Sequence, residues 1–160
     1  MRIYVSTYAK YNNGSIAGRW MDIEDYTDAD DFYTACRELH SDEHDPEFMF
    51  QDYEGFPDDF YCECDARPVF EYKEALNHSG MDKAAFDAGI ACGLNLDQIE
   101  DCYCGEYNSP EDFAEISCDE CGDLANVPDM LRDCIDWALL WQKYLRFDYT
   151  YHEGYVFRDR

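Results

Sequence analysis

Nine cysteines and four histidines are the residues whose types and spacing could build a metal centre in this chain. Cys102-x-Cys104 and Cys118-x-x-Cys121 could offer four thiolates to a tetrahedral zinc ion. Against that, structural zinc pairs usually leave two to four residues between their cysteines, and the second pair falls in an acidic stretch of helical pattern. His40-x-x-x-His44 could set two imidazoles on one helical face with Asp42 and Glu43 nearby, yet the same stretch reads as the polar exit of a helix. Small buried or half-buried thiols are therefore the expectation, with no metal and no cofactor.

Paired carboxylates occur throughout, and for that reason say little about acid or base catalysis. Catalysis needs carboxylates whose surroundings push their pKa values apart, which a crowded solvated face does not do. Asp28-x-Asp30 lacks the turn glycine and terminal glutamate of a calcium loop. Neither a G-x-S-x-G elbow, nor a phosphate-cradling glycine loop, nor a dinucleotide fingerprint is present. Cys118-x-x-Cys121 lacks the strand–helix context of a redox motif. The chain is expected not to be an enzyme.

The elements that must carry these residues are themselves dominated by charge. The 160 residues hold 37 acids against 12 bases, a formal net of -25. Residues 1 to 20 have no acid and three bases, Arg2, Lys10 and Arg19, which are expected to compensate nearby acids or to face away from any partner. Residues 21 to 65 carry seventeen acids against Arg37, and residues 101 to 125 carry eight against none. Such density opposes compaction through self-repulsion. Disorder does not follow, because 46% hydrophobic content with 14 Tyr, 10 Phe and 3 Trp can build a core. No apolar run reaches the length of a membrane span, and the N-terminus lacks the long apolar core of a secretory signal. A soluble, cytoplasmic protein with reduced thiols is expected.

Alternation of Ile3, Val5 and Thr7 predicts a strand over Arg2–Ala9, and Asn12-Asn13-Gly14 predicts a hairpin back into an extended stretch from Ser15 to Ile23. Thr27 is placed to cap a helix from about Asp28 to His40 with Phe32, Cys36 and Leu39 inward. Glu47 to Tyr53 returns to strand, and residues 58 to 70 read as a connection. Helical pattern runs from Glu71 to Leu96 with breaks at Gly80 and Gly93. Ser109-Pro110-Glu111-Asp112 combines a serine cap with proline at the first helical position, and that helix should end near Gly122. Pro128 opens another, from about Asp129 to Leu145, and Phe147 to Phe157 is extended with an interruption at Glu153-Gly154.

Together these elements define an α+β class: an elongated string of small units, with N-terminal (1–60) and C-terminal (101–160) α+β units, each with a small antiparallel sheet, flanking a short helical middle unit (61–100). Folded acidic blocks can imitate a polyanion. At one charge per about 1.7 Å of duplex, 25 charges match roughly 42 Å, or about twelve base pairs.

Several motifs then resemble a known family. Arg2-Ile-Tyr-Val, Tyr11-Asn-Asn-Gly14, Gly18-Arg-Trp20 and Gln51-Asp-Tyr-Glu-Gly-Phe56 look like the N-terminal signature of the ArdA-type antirestriction proteins. Gly105-Glu-Tyr107, Asp112-Phe-Ala114, Ile135-Asp-Trp137, Asp148-Tyr149 and Gly154-Tyr-Val-Phe-Arg158 follow in the family's order. The resemblance implies an acidic dimer encoded on a mobile element, which mimics DNA and occupies the DNA groove of type I restriction–modification enzymes, at their methyltransferase and specificity core. It implies that the mimic charge lies within Asp22 to Asp59 and Asp101 to Asp123. The candidate partner-binding acids are Asp22, Glu24, Asp25, Asp28, Asp30, Asp31, Glu38, Asp42, Glu43, Asp45, Glu47, Asp58 and Asp59, then Asp101, Glu106, Glu111, Asp112, Glu115, Asp119 and Glu120. Where the family usually has a Glu and an Arg-Asp pair after Ile135-Asp136-Trp137, this chain has Ala138 and Gln142-Lys143. No direct binding to nucleic acid or membrane is expected. An acidic adaptor or inhibitor of another basic DNA-binding protein or nuclease is the competing reading.

Five consecutive apolar residues, Trp137 to Trp141, sweep around a whole helical circumference and cannot all face one small core. Residues 126 to 160 are nearly neutral, so this stretch is the least repulsive seam for a homodimer, with Trp137, Leu140 and Trp141 as its interface.

Overall fold

The computed structural model describes residues 1 to 159, which divide into two compact units, one of Met1–His78 and one from Ser79 onward. Each holds one three-stranded antiparallel sheet with helices, so the chain is of the α+β class. The segment 61–100, read above as a middle unit, contributes its first helix to the N-terminal unit and its later helices to the C-terminal one.

In the N-terminal unit, β1 (Arg2–Thr7) lies between β2 (Arg19–Asp22) and β3 (Phe48–Glu54). Ile3 and Val5 alternate onto the core face, as their spacing predicts. Pairing with β3 slips at Tyr4/Val5, leaving Gln51 as the extra residue of a bulge and setting Phe50, fully buried, opposite Val5. β1 and β2 do pair as a hairpin, but the link is longer than a tight turn. Thr7 accepts from the Lys10 amide and caps a short helix, α1 (Tyr8–Asn12), before the chain returns.

Helix α2 (Ala29–Leu39) is capped by Asp28, which accepts from the Asp31 amide at 2.9 Å, rather than by Thr27; the Thr27 amide donates instead to the Asp31 carboxylate. The Asp28 carboxylate reaches the third helical amide, and the Asp31 carboxylate sits at the dipole's positive end. Phe32 and Cys36 are buried as expected, with Phe32 tilted on Phe50 at 5.9 Å, whereas Leu39 is only half-buried. Helix α3 (Arg67–Ser79) starts four residues before its predicted beginning. Asp65 accepts from the Arg67 amide and Pro68 stands in the first turn, where its missing N–H is of no consequence. Phe70 and Tyr72 bury against Phe32 and Phe60, and Lys73 Nζ donates to the Ile23 and Tyr26 carbonyls.

In the C-terminal unit, α4 (Lys83–Ala91) packs on α5 (Ile99–Cys102) and on a sheet ordered β4 (Tyr103–Glu106), β6 (Tyr155–Arg158), β5 (Tyr149–His152). β4 has no counterpart among the predicted elements: four residues with a central glycine show no alternation to read. β5 and β6 are joined through Glu153 and Gly154, both at positive φ, the backbone a two-residue hairpin turn needs. Ser109 caps α6 (Pro110–Glu120) through the Asp112 amide, with Phe113 and Ala114 buried. The long helix expected over Asp129–Leu145 is two short ones, α7 (Asp129–Arg132) and α8 (Trp137–Lys143). Arg132 turns back to donate to the Leu124 and Val127 carbonyls, and Asp136 caps α8 through the Leu139 amide, so capping at Asp136 replaces continuation.

At Gly89 of α4 an added Cβ would sit 2.7 Å from Ile99 Cγ2 and 3.2 Å from Phe157 Cε1. Gly89→Ala gains about 1 kcal/mol of helix propensity but overpacks a buried, β-branched neighbour, which typically costs 1–3 kcal/mol. We expect a net loss of about 1 kcal/mol, read as a lower urea midpoint at unchanged slope.

Candidate acidic binding surface

The candidate acids sit on two helices and the loops beside them. On α2, Asp30, Asp31 and Glu38 occupy the face opposite Phe32 and Cys36, with Arg37 as the base among them. On α6, Glu111, Glu115 and Asp119 recur every fourth residue, about 6 Å apart along the axis, opposite buried Phe113 and Ala114. The burial of one aromatic stripe on each helix thus forces a row of carboxylates outward. Asp22, Glu24, Asp25 and Asp28 lie in the approach to α2, and Asp42, Glu43, Asp45 and Glu47 in the loop that leaves it. Asp58 and Asp59 occupy the turn after β3; Asp101 is on α5 and Glu106 ends β4. All of the candidate acids are exposed except Glu43 and Asp112, which are half-buried.

Several of these carboxylates already have local work. Asp28 accepts from the Asp31 amide of α2, while Asp31 and Asp112 reach back to the amides of Thr27 and Asn108, just before their helices. Tyr53 donates its hydroxyl to Asp58, and that bond pushes the phenol up to about 12. Arg132 Nη1 stands 3.6 Å from Asp119. Beside α6 and α8 runs a groove of about 710 Å³, floored by Ile116, Ile135 and Trp137 and rimmed by Glu115, Asp119, Glu120 and Asp133.

Two of the three N-terminal bases are consumed within their own unit. Arg2 pairs with Glu54 at 2.6 Å and lies over the Trp20 ring at 4.8 Å. Lys10 Nζ is 2.8 Å from His40 Nδ1, 2.9 Å from Asp42 Oδ1 and 3.4 Å from Glu43 Oε1, and Thr7 Oγ1 donates to the same Glu43 oxygen. Because the ammonium donates to Nδ1, the His40 proton resides on Nε2. Arg19 is exposed and has no ion pair among the described residues.

His40, Asp42 and Glu43 are the one group among the described residues close enough to hold a metal ion, within 4.8 Å of one another. The ammonium of Lys10 stands where such a cation would. His40 and His44 do not share a helical face, because α2 ends at Leu39 and His40 is its C-terminal cap. Nor are the four cysteines of the zinc reading gathered: Cys102 is buried on α5, Cys104 is on β4, and Cys118 and Cys121 lie at the end of α6. The Lys10 cluster joins residues thirty or more positions apart and left no signal in the sequence except the isolation of Lys10 in an acid-free segment.

Trp137, Leu140 and Trp141 are half-buried on α8, with Trp141 edge-on to Phe113 at 6.1 Å. Met130, Leu131, Leu139, Tyr144 and Phe147 nearby are exposed.

An acidic α+β chain that turns carboxylate rows outward from small aromatic cores is of the class of folded polyanions. The family model described as antirestriction protein (ArdA) matches residues 3–157, and the chain belongs to that family. A search of curated proteins finds no match to it. No helix among the described residues is long and apolar enough to cross a membrane.

The Lys10 cluster predicts an acid-side instability. Burial, and then the neighbouring ammonium, lower the His40 pKa below its ordinary 6.5, so the unfolded chain binds the proton more readily than the folded one. Stability from this group is complete above about pH 6.5 and is lost as pH falls toward the lowered value. Asp42, held down chiefly by its bond to Lys10, adds a separate loss below its ordinary 3.8. The melting temperature of the wild type should fall between pH 7 and 5, and in His40→Gln that decline should be smaller.

Proposed function

We propose that this antirestriction protein is a non-catalytic inhibitor that occupies the DNA-binding groove of type I restriction–modification enzymes, at the methyltransferase and specificity core, in competition with duplex. The observation that carries the reading is the pair of carboxylate rows on α2 and α6, held outward by fixed aromatic cores. Charges fixed on folded elements lose little ordering entropy on binding. A basic groove would exchange counterions for them as it does for phosphates. The candidate acids enumerated from the sequence are the mimic surface, apart from a mainly structural share for Glu43, which serves Thr7 and Lys10. The protein needs no cofactor and does not itself bind nucleic acid.

The deciding experiment is displacement of labelled duplex from a purified type I enzyme across a salt series. Inhibition should weaken steeply with salt, and enzyme preloaded with duplex should resist it. Equal binding to preloaded enzyme would sink the groove reading in favour of an acidic adaptor. Since exposed carboxylates each contribute less than about 1 kcal/mol, Asp30→Asn or Glu115→Gln alone should weaken inhibition less than about fivefold. Neutralising Asp30, Glu38, Glu111 and Glu115 together should weaken it far more and flatten the salt slope.

The active species in this proposal is a homodimer joined through the nearly neutral α7–α8 segment, around Trp137, Leu140 and Trp141. The exposed apolar side chains clustered there support it. Light scattering should give twice the chain mass of 18.8 kDa at micromolar concentration. Leu139→Glu, at a position half exposed in one chain, should return the monomer without disturbing the contact of Trp141 with Phe113.

A further inference from the structure

Cys62 and Cys64 flank Glu63 in the turn between β3 and α3, and their sulfurs are 3.6 Å apart. The Asp65 amide closes the turn on the Cys62 carbonyl. Both flanks are pinned. On one side the Glu63 carbonyl accepts from the Phe50 amide at 2.8 Å, and the Glu63 carboxylate accepts from the Tyr8 hydroxyl. On the other, Asp65 is held by Arg67 and by Tyr33, whose oxygen in turn accepts from the Ala66 amide. The thiols are therefore presented as a preset pair, Cys64 exposed and Cys62 half-exposed. Other cysteines differ. Cys36 is buried with its thiol pushed up to about 12, and Cys134 is exposed but has no neighbouring thiol among the described residues.

We propose that Cys62 and Cys64 form a thiol–disulfide exchange site that takes low-molecular-weight disulfides and closes reversibly to an intra-turn disulfide. Cys62 is the attacking group. The Cys64 amide, the Cys64 S–H and the Asp65 amide all favour its thiolate, while Cys64, as donor, is held protonated. The Cys62 thiolate attacks one sulfur of glutathione disulfide, forming a mixed disulfide and expelling one glutathione thiolate. Cys64 then loses its proton and attacks the Cys62 sulfur, expelling the second. Two electrons pass from the protein dithiol to glutathione disulfide, and the two thiol protons end on two glutathione molecules. The sulfurs need to close only from contact distance to about 2.05 Å, and the second step meets no search because its partner is already in place.

The test uses the whole folded chain in glutathione buffers of rising disulfide content, trapped by alkylation and digested with trypsin. The segment from Glu38 to Lys73 holds Cys62 and Cys64 and no other cysteine, while Cys134 falls alone between Arg132 and Lys143. The first peptide should become lighter by two hydrogens and lose both alkylation sites together. This should happen at a glutathione disulfide concentration about tenfold below that which modifies Cys134. Cys64→Ser should stop at a glutathione adduct on Cys62. Three results would overturn the proposal: a doubly alkylated peptide at concentrations that modify Cys134, two glutathiones on one peptide, or disulfides joining two chains.

Discussion

A net of -25 on 160 residues is the condition under which every other feature of this chain is built. Like charges in a small volume oppose compaction, so carboxylates must either face water or meet a donor. The structure uses both outlets. Helices α2 and α6 turn their acids away from buried Phe32 and Phe113, while Asp28, Asp31 and Asp112 accept from backbone amides at the helix starts. The acid-free N-terminal segment then brings in Arg2 and Lys10, which neutralise acids more than thirty residues further on. Segregation of sign along the sequence becomes pairing of sign in space.

Repulsion of that size has to be opposed by large apolar contacts, and aromatic rings provide them. Phe32 meets Tyr26, Phe50 and Phe70; Phe113 meets Tyr107, Trp141 and Tyr149. Each ring buries a large area and gains further from edge-to-face or tilted geometry. One ring anchors each unit, and the helix bearing it is the one that carries the carboxylate row. Core and charged surface are two faces of the same element.

The parts legible in the sequence were those decided locally. The Ser109-Pro110 start of α6, the alternation of β1, the glycine breaks at Gly80 and Gly93 and the Glu153-Gly154 turn all follow from residues adjacent in the chain. What escaped was decided by distant partners. The start of α3 depends on Asp65 rather than on periodicity, and β4 exists because β6 pairs with it. The break before α8 reflects Arg132 reaching back to Leu124. Of the acidic surface, the two blocks of carboxylates were readable from the charge count along the chain. Their division into outward and locally bonded groups was not, because Lys10 meets Asp42 and Glu43 only in the folded chain.

The two small sheets carry one more consequence, for self-assembly. In a three-stranded sheet two strands are outermost, and outer strands invite pairing with another chain. Here Asp22 lies on β2, Asp52 and Glu54 on β3, and Glu106 on β4, while β5 is flanked by Asp148 and Glu153. Charge at those edges blocks strand addition, so the acids also act as guards against fibre formation. Near the isoelectric point, about 4.1, the net repulsion between molecules vanishes, and acid should leave the chain more prone to association.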